Sequence, residues 1–274
     1  MVSFPNAKIN IGLNIISKRT DGFHNLETIF YPLAIKDAVE IIENKDASTD
    51  VIFSASGNII NLPDADNLCV KAVNLLKKDF FFPPLKIHLH KNIPMGAGMG
   101  GGSADASAIL LLLNKKFELN ISTEKLIEYA LILGSDCPFF ILNKPCFASS
   151  RGEVLKEINI DLSHYKIMIV HPGIHLNTGE AFRQLNENNF SIVGELKEQL
   201  KMDISEWKNN IKNDFEISVF KKYPSIEEIK EKLYDCGAIY SSMSGSGSAV
   251  YGIFPQGVLL PNIKFPAHYF CQMV

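Results

Sequence analysis

Apolar and polar positions alternate near the start of the chain. Ala7, Ile9, Ile11, Leu13 and Ile15 take every second place over residues 7–16, which is the two-residue period of a strand. Asp21-Gly22 is a turn signal, and strand-like runs follow over 27–31 and 38–42. The rhythm then changes. After Pro63 the acidic pair Asp64 and Asp66 precedes Leu68, Ala72, Val73, Leu75 and Leu76 at helical spacing, and Lys77-Lys78 closes the last turn with the charge that suits a helix C-terminus. Residues 85–90 alternate as a strand, a glycine-dense loop follows, and 104–113 is an apolar run rich in helix formers. Further helices are predicted over 122–133, 178–185, 203–213 and 225–234, and strands over 165–170 and 249–254. The stretch after Gln256 predicts nothing. A change of texture around 150–152 predicts a domain boundary, dividing the chain into 1–150 and 151–274.

Composition narrows the class. Of 274 residues 46% are apolar and 21% charged, the make-up of an ordinary folded enzyme-sized chain. Lys plus Arg number 27 against 30 Asp plus Glu, a formal charge of −3, so no global basic field exists to hold a nucleic acid. The longest purely aliphatic run, Ile109 to Leu113, falls far short of the roughly 20 residues of a membrane span. The amino terminus lacks a basic-then-apolar export pattern, and a soluble cytoplasmic protein is expected. Five cysteines without a Cys-x-x-Cys pair suggest neither a disulfide framework nor a zinc site, and are expected to be core thiols.

The stretch richest in chemistry is Pro94-Met95-Gly96-Ala97-Gly98-Met99-Gly100-Gly101-Gly102-Ser103-Ala104, in which five of seven consecutive residues from Gly96 are glycine. Residues without a β-carbon can turn successive N–H groups toward one point, and the following helix adds the positive end of its dipole. Such a loop suits phosphates. Gly96, Gly98 and Gly101 also satisfy the spacing of a dinucleotide fingerprint, but Glu118 downstream sits in a short polar stretch after a helix, not at the end of a buried parallel strand. No lysine precedes Ser103, so the Walker pattern is absent and a cation for the phosphates must come from elsewhere in the chain.

With this loop the sequence resembles the GHMP kinase superfamily. Pro5-Asn6-Ala7-Lys8-Ile9-Asn10-Ile11 is similar to the family's first motif, the glycine loop to its second, and Ser244-Gly245-Ser246-Gly247-Ser248-Ala249 to its third. Ser246 and Ser248 stand where relatives often carry Thr and Ala. Asp21 to Thr28, Asp66-Asn67-Leu68 and Gly134 to Phe140 narrow the resemblance to members that act on a cytidine diphosphate alcohol. It implies a two-domain α+β fold with the active site in the cleft between the domains. It further implies ATP-dependent phosphorylation of an alcohol, with Asp136 as the catalytic acidic residue and Lys8 as its partner. Asn10 and His24 would line the substrate pocket, and Phe182 would stack on cytosine. A small-molecule substrate is expected, as are a monomer or homodimer and no nucleic-acid or membrane partner. Another GHMP kinase, for homoserine or mevalonate, and a non-catalytic nucleotide-binding protein are the competing readings.

The chemistry stands beside the resemblance. Phosphoryl transfer is mostly positioning and charge stabilisation, with a base that takes the alcohol proton late. A carboxylate at Asp136 and an ammonium at Lys8 suit those tasks, with Lys91 and the loop amides adding local positive charge. Each has a plainer explanation as well: Asp136 as a turn or helix cap, and Lys8 as the solvent face of an alternating strand. Asn10 shares the face of Lys8 by the two-residue period, which favours one site for both. Phe23 and His24 could offer a base an aromatic edge and a hydrogen-bonding group, His24 otherwise lying on the surface. Mg2+ is expected with ATP, and Ser103 is the one plausible protein ligand nearby.

Overall fold

The computed structural model describes residues 1–45, 50–58, 67–185, 190–257 and 264–274. In chain order its first elements are β1 (Val2–Ser3), β2 (Asn6–Lys18), β3 (His24–Lys36), β4 (Ala38–Glu43), β5 (Val51–Gly57), α1 (Leu68–Leu76), β6 (Leu85–Lys91), α2 (Gly101–Lys116), α3 (Thr123–Leu133) and α4 (Cys137–Leu142). Next come β7 (Cys146–Ser149), β8 (Val154–Glu157), β9 (Tyr165–His171), α5 (Thr178–Arg183) and α6 (Glu195–Gln199). The last are α7 (Trp207–Asn210), α8 (Glu216–Lys222), α9 (Pro224–Asp235), β10 (Tyr240–Met243), β11 (Val250–Pro255) and β12 (Phe270–Met273). Among the described residues no helix is long and apolar enough to cross a membrane.

The chain forms two compact units. Unit 1 is Met1–Lys8, Pro32–Met95 and Gly100–Lys144. Its sheet has the order β1-β4-β6-β5, antiparallel except for the parallel β5–β6 pair. Val39 and Ile41 of β4 lie opposite Leu89 and Ile87 of β6, so all four are presented on one face. They pack with Ala72 and Leu76 of α1, Ile109 and Leu113 of α2, and Tyr129 of α3. Each fully buried Ile or Leu here contributes about 1.5–3 kcal/mol relative to exposure. Helix α2 is buried over most of its circumference, which is why its sequence is a continuous apolar run instead of a stripe.

Unit 2 is Ile9–Tyr31, Gly96–Met99 and Pro145–Val274. Strands β9 to β12 form an antiparallel sheet in the order β10-β11-β9-β12. Its core joins Val170 and Phe254 to Phe215, Ile226, Ile229 and Leu233 from the helical segments. A third sheet has the order β2-β3-β7-β8. The units are not the sequential halves 1–150 and 151–274. The second does resume at Pro145, near the expected boundary, but it also takes Ile9–Tyr31 and Gly96–Met99, because the two 13-residue strands β2 and β3 each divide between the units.

Most expected elements form, with informative differences. The predicted helix over 203–213 is a 3-10 turn, Ile204–Glu206, followed by the four-residue α7. It stops because Leu13 draws the chain into a bridge with Asn213, with Leu13 N–H donating to Lys212 O and Asp214 N–H to Leu13 O. Helix α1 ends at Leu76, so Lys77 is its C-cap and pairs with Asp50 at 2.9 Å. Asp64 and Asp66, expected to open that helix, lie outside the described residues, and Asn67 caps it by accepting the N–H of Cys69. Of the cysteines, Cys69, Cys137 and Cys146 are buried while Cys271 is exposed. Strand β12, in the stretch that predicted nothing, pairs with β9.

Candidate active site

In unit 1, β2 brings Lys8 to the start of α4. The Lys8 ammonium lies 3.4 Å from Asp136 Oδ2, and the two side chains are 4% and 36% exposed. The solvent-facing alternative for Lys8 is therefore not realised: β2 is buried on both faces over most of its length, without the alternation its sequence suggests. Nor does Asp136 act as a helix cap. It occupies the N-cap position of α4, but its side chain makes no capping hydrogen bond. Burial pulls the Lys8 ammonium below the ordinary lysine value, and the neighbouring Asp136 opposes that pull. The pair thus places a half-open carboxylate against a dry ammonium.

Beside it begins α2. The helix starts at Gly101, three residues before the expected 104, so Gly101 and Gly102 are helical and Gly100 is the N-cap. Gly100 has φ +69°, and a β-carbon there would come within 2.8 Å of Phe140 and 3.2 Å of Lys8 Cε. Only glycine fits. No side chain caps this end, and the first-turn N–H groups of Gly101, Gly102 and Ser103 have no acceptor within the helix. A 16-residue helix presents the positive end of its dipole there. Lys91, expected to add charge for phosphates, is instead buried, and its ammonium donates to Asp37 and to Asp105.

In unit 2 the loop segment Gly96–Met99 is held by the third motif. Ser244 Oγ donates to Gly98 O at 2.9 Å and accepts the N–H of Asn10 at 3.2 Å, while Ala249 N–H donates to Ala97 O at 3.1 Å. At Gly98, with φ +76°, a β-carbon would overlap the Ser244 carbonyl oxygen. Asn10 shares this cluster: its carboxamide donates to Thr28 Oγ1 at 2.9 Å, and Tyr251 OH donates to Asn10 O at 2.8 Å. Lys8 belongs to unit 1 and Asn10 to unit 2.

Also in unit 2, His24 and Phe182 meet. Their rings stack with centroids 5.0 Å apart and planes 19° from parallel, and Phe190 and Phe215 approach edge-on from His24 and Phe182 respectively. Phe23 is half exposed, with the Arg151 guanidinium 4.9 Å above its ring. Sequence reasoning missed Asn213 and Glu216. Asn213 donates to Met243 O and Gly245 O, and the Glu216 carboxylate accepts Met243 N–H and Ser242 Oγ–H while pairing with Lys230. These bonds fix the entry to the third motif on both sides of Ser244. The signal was the polar run Asn213-Asp214-Phe215-Glu216, which a reading for helical periodicity passes over.

The residues present do not make a cation cage. Among the described residues no group of three His, Cys, Asp or Glu is arranged to hold a metal. Ser103 offers one hydroxyl, and burial pushes the Cys137 thiol up to about 11. Cys137 therefore stays protonated and behaves as a small core residue.

Comparisons with known proteins show the family. The model of the GHMP kinases N terminal domain matches residues 67–144, and that of the GHMP kinases C terminal region matches 182–263. A 4-diphosphocytidyl-2-C-methyl-D-erythritol kinase of Bacteroides fragilis is 48% identical over 272 residues, covering 99% of this chain and 98% of the relative. The chain belongs to the GHMP kinase family. A crystal structure of 4-(cytidine 5'-diphospho)-2C-methyl-D-erythritol kinase superposes with TM-score 0.79 and 29% identity, over 92% of this chain and 90% of that one. Homoserine kinase from Cytophaga hutchinsonii superposes with TM-score 0.65 but only 16% identity, over 92% and 85%, and shares the fold alone.

Proposed function

We propose that this GHMP kinase transfers the terminal phosphoryl group of ATP to the 2-hydroxyl of 4-diphosphocytidyl-2-C-methyl-D-erythritol, in isoprenoid precursor synthesis. The observation that carries the chemistry is the Lys8–Asp136 pair beside the uncapped start of α2. Asp136 accepts the hydroxyl proton as the oxygen–phosphorus bond forms, because its carboxylate is not committed to a helix cap and is partly open. Lys8 holds that carboxylate in place and offsets negative charge building on the transferred group. First-turn amides of α2 bind phosphate oxygens, for which a helix N-terminus is suited. Mg2+ would accompany ATP as part of the nucleotide substrate and supply charge neutralisation at its phosphates, with Ser103 as the one plausible protein ligand. The stacked His24–Phe182 pair supplies a flat surface for cytosine, and the identity to kinases named for a cytidine diphosphate alcohol supports that choice.

The test is ADP release with the diphosphocytidyl alcohol, mevalonate and homoserine side by side. Turnover is expected with the first alone. Comparable turnover with either of the others would replace this reading by that of another GHMP kinase, and ATP binding without transfer to any of them would make the protein a non-catalytic nucleotide binder.

A further inference from the structure

Unit 1 contains a second lysine–carboxylate cluster, which plays no part in the chemistry above. Asp37 lies between β3 and β4, Lys91 ends β6, and Asp105 lies in the second turn of α2. Their exposures are 1%, 3% and 1%. Lys91 Nζ donates to Asp37 Oδ2 and, at 2.8 Å, to Asp105 Oδ2. The other oxygen of Asp37 accepts the backbone N–H groups of Asn92 at 2.6 Å and Ile93 at 2.8 Å. Asp105 Oδ1 is buried without a hydrogen-bond partner among the described residues. A buried ion cluster with an unsatisfied oxygen is a poor means of gaining stability, and apolar side chains of the same volume commonly do as well. What such a cluster supplies is direction.

The direction is specific. Asn92 and Ile93 lead into the glycine loop and Asp105 follows it, so the cluster ties the incoming strand to the outgoing helix on both flanks of that loop. A β-carbon on Gly101 would stand 3.0 Å from Ile93 Cγ2 and 3.1 Å from Lys91 Nζ, so the clip reaches the first residue of α2. We propose that Asp37, Lys91 and Asp105 are positioning residues that close the base of the glycine loop and hold the first-turn amides of α2 in the attitude that grips ATP. This rests on the loop being the nucleotide cradle of the proposed function.

The test compares Asp105→Leu, the double variant Lys91→Met/Asp105→Leu, and Asp105→Asn with the native protein. Asp105→Leu leaves Lys91 paired with Asp37, whereas the double variant leaves the Asp37 carboxylate buried on two backbone N–H donors; a cooperative urea transition checks that each folds. ATP dissociation constants, and KM and kcat for both substrates, are measured for each. The expected result is ATP binding weakened at least tenfold in the apolar variants, with kcat at saturating ATP and KM for the alcohol within threefold of native. Asp105→Asn keeps an oxygen for Lys91 and is expected to restore most of the ATP affinity. A folded double variant that binds ATP within twofold of native would overturn the clip, as would an Asp105→Asn variant as weak as Asp105→Leu. Absence of ATP binding by the native protein would instead overturn the nucleotide reading on which the clip depends.

Discussion

Unit 1 contains two buried lysines that each meet carboxylates, and their ammonium groups are shifted in opposite directions. Lys8 has a single acidic partner at 3.4 Å, with that partner 36% exposed, and burial outweighs the pairing so that its ammonium is pulled down. Lys91 suffers the same burial penalty, but Asp105 and Asp37 together outweigh it and its ammonium is held up. Burial itself pushes Asp105 up to about 7, with Lys91 opposing and Asp37 adding to the rise. The difference is whether the partner oxygens are all enclosed. The Lys91 cluster has its acids sealed in the core and gives the backbone fixed geometry. The Lys8 pair leaves its carboxylate partly open to solvent, which is the arrangement that can exchange a proton.

The contrast can be broken at several points. Asp136→Asn removes the open acid and should lower kcat by roughly 10²–10⁴ with ATP affinity little changed, measured by single-turnover ADP formation and nucleotide titration. Undiminished turnover would leave Asp136 out of the mechanism. Lys91→Met alone leaves two sealed carboxylates without their cation and should cost about 3–5 kcal/mol in urea unfolding, a far larger stability loss than Asp136→Asn. Gly98→Ala forces a side chain into left-handed backbone against the Ser244 carbonyl, and should cost at least about 1–2 kcal/mol and weaken ATP. Phe182→Ala should raise KM for the cytidine alcohol by roughly 2–10-fold with kcat nearly constant, since a lost aromatic stack is worth about 0.5–1.5 kcal/mol.

The smallest effect is in pH. If protonated Lys8 is the working form, kcat falls as pH rises through its lowered value, so the alkaline limb lies below the ordinary lysine value of 10.5. Lys8→Arg keeps its charge to higher pH and should move that limb upward whatever it costs in rate. An alkaline limb unchanged by Lys8→Arg would assign it to another group.

Much of this was legible because the signals are local. The three motifs and the order of strand, glycine loop and helix follow from neighbouring residues. Lys8 and Asp136 as a pair were legible only through resemblance, since 128 positions separate them and each alone has a plainer explanation. Asp37 and Asp105 were not legible at all. Neither belongs to a local pattern that marks it, and only the closing of a sheet against α2 brings them to one ammonium. The premature end of α7 was hidden for a similar reason, because a bridge to Leu13 far back in the chain outweighs helical periodicity.

The sequence by itself determined most of the segments that twist into strands or coil into helices, and that a glycine-rich loop precedes a buried helix. Those outcomes depend on backbone sterics and on side chains a few positions apart. Tertiary structure alone decided which of two lysine–acid groups stays open and which is sealed. A carboxylate's accessibility is set by residues remote in sequence that fold over it, and with that accessibility goes its capacity to exchange a proton.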